Sequence, residues 1–87
     1  MTRLELGRRA QADAAELPWS LAEQTNQALT LLETDPRAGQ PLRDRLRGVW
    51  SLRIGAYRIL YQIVDDGRTV RVLTIRHRSV AYRSDPR

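Results

Sequence analysis

The residues of this sequence that could do chemistry are concentrated in its second half. Arg53, Arg58 and Arg76 each lie in, or at the end of, a different short run with the alternation or apolar content of a β-strand. An arginine inside an apolar strand is costly unless it is paired or functional. We therefore predict that the three guanidinium groups line one surface and hold a phosphate. The structural alternative is that Arg58 pairs with a carboxylate of the following turn, such as Asp65 or Asp66.

Two residues near the end of the same region could transfer protons. His77 is the only histidine, and this side chain ordinarily changes its charge near neutral pH. The hydroxyl of Tyr82 is a weak acid unless neighbouring arginines stabilise its anion. A lone histidine can equally be structural. The sequence has no glycine-rich nucleotide loop, paired carboxylates or Ser-His-Asp arrangement, so we expect chemistry without a metal or cofactor, built from Arg, Tyr and His.

The charges are divided unevenly along the chain. All 15 basic residues are arginine; residues 1–42 have a net charge of −2 and residues 43–87 a net charge of +7. A strongly basic half indicates an anionic partner such as nucleic acid, although a composition bias could also favour arginine. Cysteine is absent, which excludes disulfides and thiol catalysis. With 87 residues and no long apolar run, we expect one cytoplasmic domain spanning 1–87 and no membrane partner.

The first half predicts a strand followed by two helices. Met1–Gly7 alternates enough for a short strand, and Arg8–Leu17 has helical spacing of apolar residues up to Pro18. Ser20 and Glu23 have the spacing of a capping box, which indicates the start of a second helix. That helix should end at Asp35-Pro36. We expect the helices to be antiparallel, and both tryptophans, Trp19 and Trp50, to be core anchors.

Arg37–Arg47 is predicted to be a linker. In an extended segment, the spacing of Arg43, Arg45 and Arg47 would place all three side chains on one side. They could then form an outer rim that contacts phosphates without reading sequence. The alternative is an ordinary solvated loop.

Three strands follow the linker. They are Val49–Ile54, Tyr57–Val64 and Thr69–Arg76, joined by Gly55-Ala56 and by the hairpin turn signal Asp65-Asp66-Gly67. Tyr57–Val64 is apolar on both faces, which predicts a central strand. The chain should end in a short turn or helix. The order β-α-α-β-β-β predicts an α+β domain in which the helices cover one face of a small, largely antiparallel sheet. The other face should be open and carry the strand arginines.

Two sequence blocks resemble the RelE/ParE toxin superfamily of type II toxin–antitoxin systems. L-x-G-x-W-x-L-R-x-G-x-Y-R-I-L-Y spans Leu46 to Tyr61, and V-L-x-I-x-H-R-x-x-x-Y-R spans Val72 to Arg83. The preceding helix–Pro–helix segment is similar too, so the resemblance covers nearly the whole chain and implies a RelE-like fold. Members of the RelE-like branch cleave mRNA in the ribosomal A site without a metal.

The resemblance implies roles for individual residues. A ribose 2′-OH would attack the neighbouring phosphate while basic side chains stabilise the developing charge and a base and an acid transfer protons. The implied catalytic set is Arg53, Arg58, Arg76, His77 and Tyr82, with Arg78 replacing Arg76 in an alternative alignment. Apart from the resemblance, we expect RNA binding by the linker arginines Arg43, Arg45 and Arg47 and by Arg83. Ser51 stands where well-known RNases of the family have a lysine.

The resemblance also leaves alternatives and implies partners. The ParE-like branch inhibits DNA gyrase instead of cleaving RNA, and a third reading is a weak toxin that acts mainly in a repressor complex. The implied partners are a cognate antitoxin, mRNA with the ribosome, and operator DNA reached through the antitoxin. The antitoxin should be an acidic or amphipathic segment that is partly disordered when free.

Overall fold

The computed structural model describes residues 2–87, so Met1, the predicted first residue of the first strand, lies outside the described residues. The regular elements are β1 (Arg3–Leu6), α1 (Arg8–Glu16), α2 (Ala22–Thr34), β2 (Gln40–Pro41), β3 (Trp50–Ile54), β4 (Tyr57–Val64) and β5 (Thr69–His77). The α+β prediction is confirmed. Within residues 2–87, neither helix is long and apolar enough to cross a membrane.

The strands form one sheet in the order β1-β5-β4-β3-β2, so β4 is central as predicted. β1 is parallel to β5, and every other neighbouring pair is antiparallel. The sequence did not predict β2, because it is only two residues long and contains Pro41. A proline lacks the N–H that a strand interior needs, and it is tolerated here at the edge of the sheet.

Alternation along the strands separates two faces. Ile54, Ile59 and Ile75 are buried in the main core with residues of both helices, among them Ala10 and Leu32. Their sequence neighbours therefore point to the other face. That face is not fully open as predicted, since Leu60 is completely buried there. The buried side chains Leu46, Val49 and Ala81 belong to the segments that flank this face.

A buried tyrosine fixes the segment that leads from α2 to β2. The Tyr61 hydroxyl donates to the Pro36 carbonyl (2.7 Å) and accepts from the Gly39 N–H (3.1 Å). Any side chain at Gly39 would collide with this hydroxyl and with the Ser51 carbonyl. Burial raises the pKa of Tyr61, so the phenol stays protonated and keeps both hydrogen bonds.

Two predictions for the helical half are wrong. Trp19 is 89% exposed and is not a core anchor, because Trp19–Leu21 forms a 3₁₀ turn between the helices after Pro18. The other tryptophan, Trp50, does pack against the core and stacks on Tyr61. Ser20 lies inside this turn and does not cap α2. The N-cap residue is Leu21, whose position offers no side-chain cap.

Asp13 of α1 accepts hydrogen bonds from the part of β5 that continues past its last pair with β1, Leu6 with Val72. Its carboxylate accepts hydrogen bonds from the Thr74 hydroxyl and from the Ile75 N–H (3.0 Å), and it also pairs with Arg9. Asp13→Ala should lower the free energy of unfolding by about 1–3 kcal/mol, because it leaves two buried donors without a partner. Urea unfolding measures this. Arg9→Ala removes only the surface ion pair and should cost less than about 1 kcal/mol; equal losses would contradict the proposed role of Asp13.

Candidate active site

Three arginines lie in one row across the sheet. Arg53 of β3 is the direct partner of Arg58 on β4, and Arg58 is the direct partner of Arg76 on β5. Directly opposed residues project from the same face, and two strand spacings make the row roughly 10 Å long at the backbone. The row lies on the face away from the helices, since its neighbours Ile54 and Ile59 are in the core.

A bulge in β5 brings Arg76 into this row. Val64 pairs with Thr69 and Tyr61 with Val72, but Leu60 pairs with Thr74, so Leu73 has no partner across the ladder. Without this extra residue, Ile75 would lie opposite Arg58. The register thus selects Arg76, and not Arg78, as the third arginine of the row.

The arginines of the row are not neutralised by carboxylates. Among residues 2–87, no ion pair within 4.0 Å involves Arg53, Arg58 or Arg76. The Arg58 guanidinium instead donates from Nη1 to the carbonyls of Tyr57 (2.8 Å) and Gly55 (3.1 Å). These contacts orient the guanidinium and leave its charge available to an anion. The structural alternative, a pair with Asp65 or Asp66, is not formed.

A pocket of about 330 Å³ brings two of these arginines together with the C-terminal tyrosine. Its lining includes Ser51, Arg53, Arg58 and Tyr82. The Ser51 and Tyr82 hydroxyl oxygens are 2.9 Å apart and share a hydrogen bond. Ser51 lies two residues before Arg53 on β3 and therefore on the same face. Sequence reasoning missed this contact and noted Ser51 only as a residue in place of a base.

Arg45 and Arg87 hold Tyr82 at the pocket. Arg45 Nη2 donates to the Tyr82 carbonyl (3.0 Å). Arg87 donates from Nη2 to the Arg45 carbonyl (2.8 Å) and from Nη1 to the Arg47 carbonyl (2.8 Å). Arg87 also pairs with Asp85 at 2.8 Å. Three contacts thus tie the C-terminal residues to the turn that precedes β3.

The prediction that Arg43, Arg45 and Arg47 share one side is wrong. The segment is not extended, because Asp44–Leu46 forms a 3₁₀ turn that rotates successive side chains apart. All three arginines are exposed. Arg45 is committed to the Tyr82 carbonyl, and Arg47 contributes its own carbonyl to Arg87, so these two have structural contacts that the prediction did not include.

The contact between Arg87 and Asp85 has a predicted pH dependence. Hydrogen bonds from Arg87 lower the pKa of Asp85 from 3.8 to about 2. Because the folded pKa is depressed, the contact is fully formed above pH 4 and is lost as the pH falls through about 2. A carboxyl NMR titration of Asp85 should show this low midpoint. In Arg87→Gln the midpoint should return toward 3.8, and an unchanged midpoint would contradict the contact.

His77 lies in a second pocket and not beside Tyr82. This pocket, of about 580 Å³, also has Tyr57, Arg76 and Arg83 in its lining. The Tyr57 and His77 rings meet edge to face at 5.4 Å. Arg78 lines neither pocket; its side chain is exposed and its backbone N–H donates to the Ala56 carbonyl. The predicted catalytic residues are therefore divided between two neighbouring pockets and one exposed position.

Comparisons with known proteins find one matching family and similar individual sequences. The family model described as the ParE toxin of the type II toxin–antitoxin system parDE matches residues 4–82. The chain is 49% identical over 47 residues to toxin RelG of Mycobacterium tuberculosis, and 43% identical over 56 residues to toxin RelE of the same organism. These matches cover 54% and 64% of the chain, and only 54% and 58% of the two relatives.

A solved structure extends the similarity to most of the fold. A chain of the toxin–antitoxin complex RelBE2 from Mycobacterium tuberculosis superimposes with a TM-score of 0.79 at 33% identity. The match covers 87% of this chain and 96% of that chain.

Proposed function

The chain belongs to the ParE toxin family of type II toxin–antitoxin systems, and we propose that it is a RelE-like mRNA endoribonuclease that inhibits translation. The observation that supports this activity best is the row formed by Arg53, Arg58 and Arg76, two of which share a pocket with the Tyr82 hydroxyl. Three adjacent cations without carboxylate partners are suited to a phosphodiester.

The proposed reaction is attack of a ribose 2′-OH on its neighbouring phosphorus. The 2′-OH proton passes to water as the new bond closes a 2′,3′-cyclic phosphate and the bond to the 5′-oxygen breaks. The 5′-oxygen takes a proton from Tyr82 and leaves as a 5′-hydroxyl. Arg53 and Arg58 stabilise the negative charge that builds on the phosphoryl oxygens. No metal or other cofactor is needed for these steps in the proposal.

Tyr82 is the proposed proton-transfer residue of the first pocket. Its hydroxyl already shares a hydrogen bond with Ser51 (2.9 Å), so a proton can pass between the phenol and a reacting oxygen while Ser51 fixes the orientation of the phenol. Arg58 lines the same pocket and would stabilise the phenolate if it forms. His77 lines the second pocket and not the first, so we do not assign this role to it.

The proposed partners follow from the same reading. The toxin would act on mRNA in the ribosomal A site in the cytoplasm, and a cognate antitoxin would neutralise it. The solved RelBE2 relative is itself a toxin–antitoxin complex. The basic half of this chain, with a net charge of +7 over residues 43–87, would attract an acidic antitoxin segment. Operator DNA would be reached through that antitoxin.

Cleavage on purified translating ribosomes tests the proposed activity. Wild-type protein should cut a ribosome-bound message at codon positions and leave 5′-hydroxyl ends, while the same message without ribosomes should remain largely intact. A protein that leaves the bound message intact would contradict the proposal.

Inhibition of DNA gyrase is the second candidate function, because the matching family model carries the ParE name. Supercoiling of DNA by purified gyrase, measured with and without the protein, distinguishes the two functions.

A further inference from the structure

The proposed catalysis leaves the second pocket unused. This cavity of about 580 Å³ lies between α1, the start of β4 and the end of β5, and residues of the turns after β5 complete its lining. Its volume is within the range of small-molecule sites. Resting on the proposed function, we propose that the pocket binds the RNA nucleotide next to the scissile phosphate, with its phosphate on Arg76 and Arg83 and its base against the Tyr57–His77 pair.

Arg76 has an unsatisfied donor in this pocket. Its Nε is buried and has no hydrogen-bond partner among the described residues, while its Nη1 donates to the Ser84 hydroxyl at 3.3 Å. A buried donor without a partner is unfavourable. Because this atom has no accessible surface, only the outer nitrogens of the Arg76 guanidinium can reach a ligand in the pocket. Arg83 is exposed and forms no ion pair within residues 2–87. Both guanidinium groups are therefore available to one phosphate.

His77 can add a third donor. The Ser79 N–H donates to His77 Nδ1 at 3.2 Å, and the Ser79 hydroxyl lies 2.9 Å from the same nitrogen. Because Nδ1 accepts a hydrogen bond, the ring proton of the neutral imidazole lies on Nε2. The Nε2–H has no partner within residues 2–87 and can donate to a phosphate oxygen.

The acidic residues of the pocket do not cancel these donors. Asp13 is already occupied by Thr74, the Ile75 N–H and Arg9. Glu16 is exposed at the rim, where water screens its charge. The pocket therefore retains a net preference for an anion.

The remaining lining suits a nucleobase. The edge-to-face pair of Tyr57 and His77 forms an aromatic wall, and Leu17 and Val80 add apolar surface. Stacking of a base on such a wall is tolerant of sequence, because every base has a π-face. The position also fits, since Arg76 lies directly opposite Arg58. Tyr57 and His77 lie on the helix side of the sheet, so an RNA strand that crosses the arginine row would turn around the edge of β5 at Arg76 to place neighbouring nucleotides in the two pockets.

Nucleotide binding can be followed through the single histidine of the chain. The full chain with Arg58→Ala disables the first pocket, and its His77 ring signals are recorded by NMR during titration with adenosine 5′-monophosphate. Saturable shifts of His77 are expected. Arg83→Gln and Tyr57→Leu should each weaken the binding by about tenfold, because each removes one contact. Arg78→Gln is the matched control, since Arg78 does not line the pocket, and should leave the affinity unchanged.

The other outcomes would overturn the inference. They are an absence of His77 shifts in a well-dispersed spectrum, binding of inorganic phosphate as tight as that of the nucleotide, and affinity that is unchanged in both Arg83→Gln and Tyr57→Leu. Cleavage by the wild-type protein on ribosomes is measured separately. Nucleotide binding without cleavage would overturn the proposed function and support the pocket; cleavage without nucleotide binding would overturn this inference alone.

Discussion

Arg58→Ala should slow cleavage of ribosome-bound mRNA by about 10²–10³-fold and relieve growth arrest on induced expression. Arg58 is the middle residue of the arginine row and lines the pocket that contains Tyr82. Loss of one preorganised donor to a developing oxyanion typically costs a factor of this size. Single-turnover cleavage of a ribosome-bound message measures the effect directly.

The fold should survive this substitution. Arg58 contacts only the carbonyls of Gly55 and Tyr57, both in the adjacent turn and strand end, so the loss in unfolding free energy should stay near 1 kcal/mol. Arg68→Ala is a matched control, because Arg68 is an exposed arginine in the turn at the other end of β4. A folded Arg58→Ala protein that cleaves at the wild-type rate would contradict the phosphate-binding role.

Tyr82→Phe should slow cleavage by about 10²–10⁴-fold, the usual contribution of a general acid or base. The substitution removes only the hydroxyl oxygen that lies 2.9 Å from Ser51 Oγ, and Tyr82 is 38% exposed, so stability should change little. The single-turnover rate should fall while the affinity for the ribosome is unchanged, because the hydroxyl is needed only in the reaction.

Ser51→Ala provides the comparison for Tyr82→Phe. It removes the partner of the phenol but keeps the phenol itself, so we expect a smaller loss of rate, roughly tenfold, from a less well oriented hydroxyl. If Tyr82→Phe cleaves as fast as the wild type, another group transfers the proton.

The sequence could predict the first two members of the arginine row. Alternation in β3 identified the face of Arg53. The tight Gly55-Ala56 connection makes Ile54 and Tyr57 partners, so Arg58 must lie opposite Arg53. Gly55 has a φ of +59°, a conformation that glycine adopts without strain. Local rules therefore determined this part of the site.

The third arginine could not be predicted in the same way. The turn after Val64 pairs Val64 with Thr69. If the register of that pair continued unbroken along both strands, Ile75 would lie opposite Arg58. The bulge at Leu73 shifts the register by one residue, which exchanges the two faces of the strand end. No local feature of the sequence predicts such a bulge. The sequence alone therefore does not decide between Arg76 and Arg78, whereas the strand pairing does.

Contacts between segments that are far apart in the sequence could not be predicted from it either. Ser51 and Tyr82 are separated by 31 positions, and Arg45 and Arg87 by 42. Both contacts depend on how the turns after β5 fold back over the sheet. Hydrophobic periodicity specifies which residues of a strand are buried, but it does not specify the path of an irregular segment.

Mapping of mRNA 5′ ends after induced expression tests most directly whether this protein cleaves translated messages. The wild-type chain should produce new 5′ ends at codon positions inside coding regions within minutes, and Arg58→Ala should produce none above background while remaining folded and expressed at a similar level. Intact mRNA together with gyrase-linked breaks in DNA would contradict the endoribonuclease assignment and favour the gyrase-inhibiting alternative.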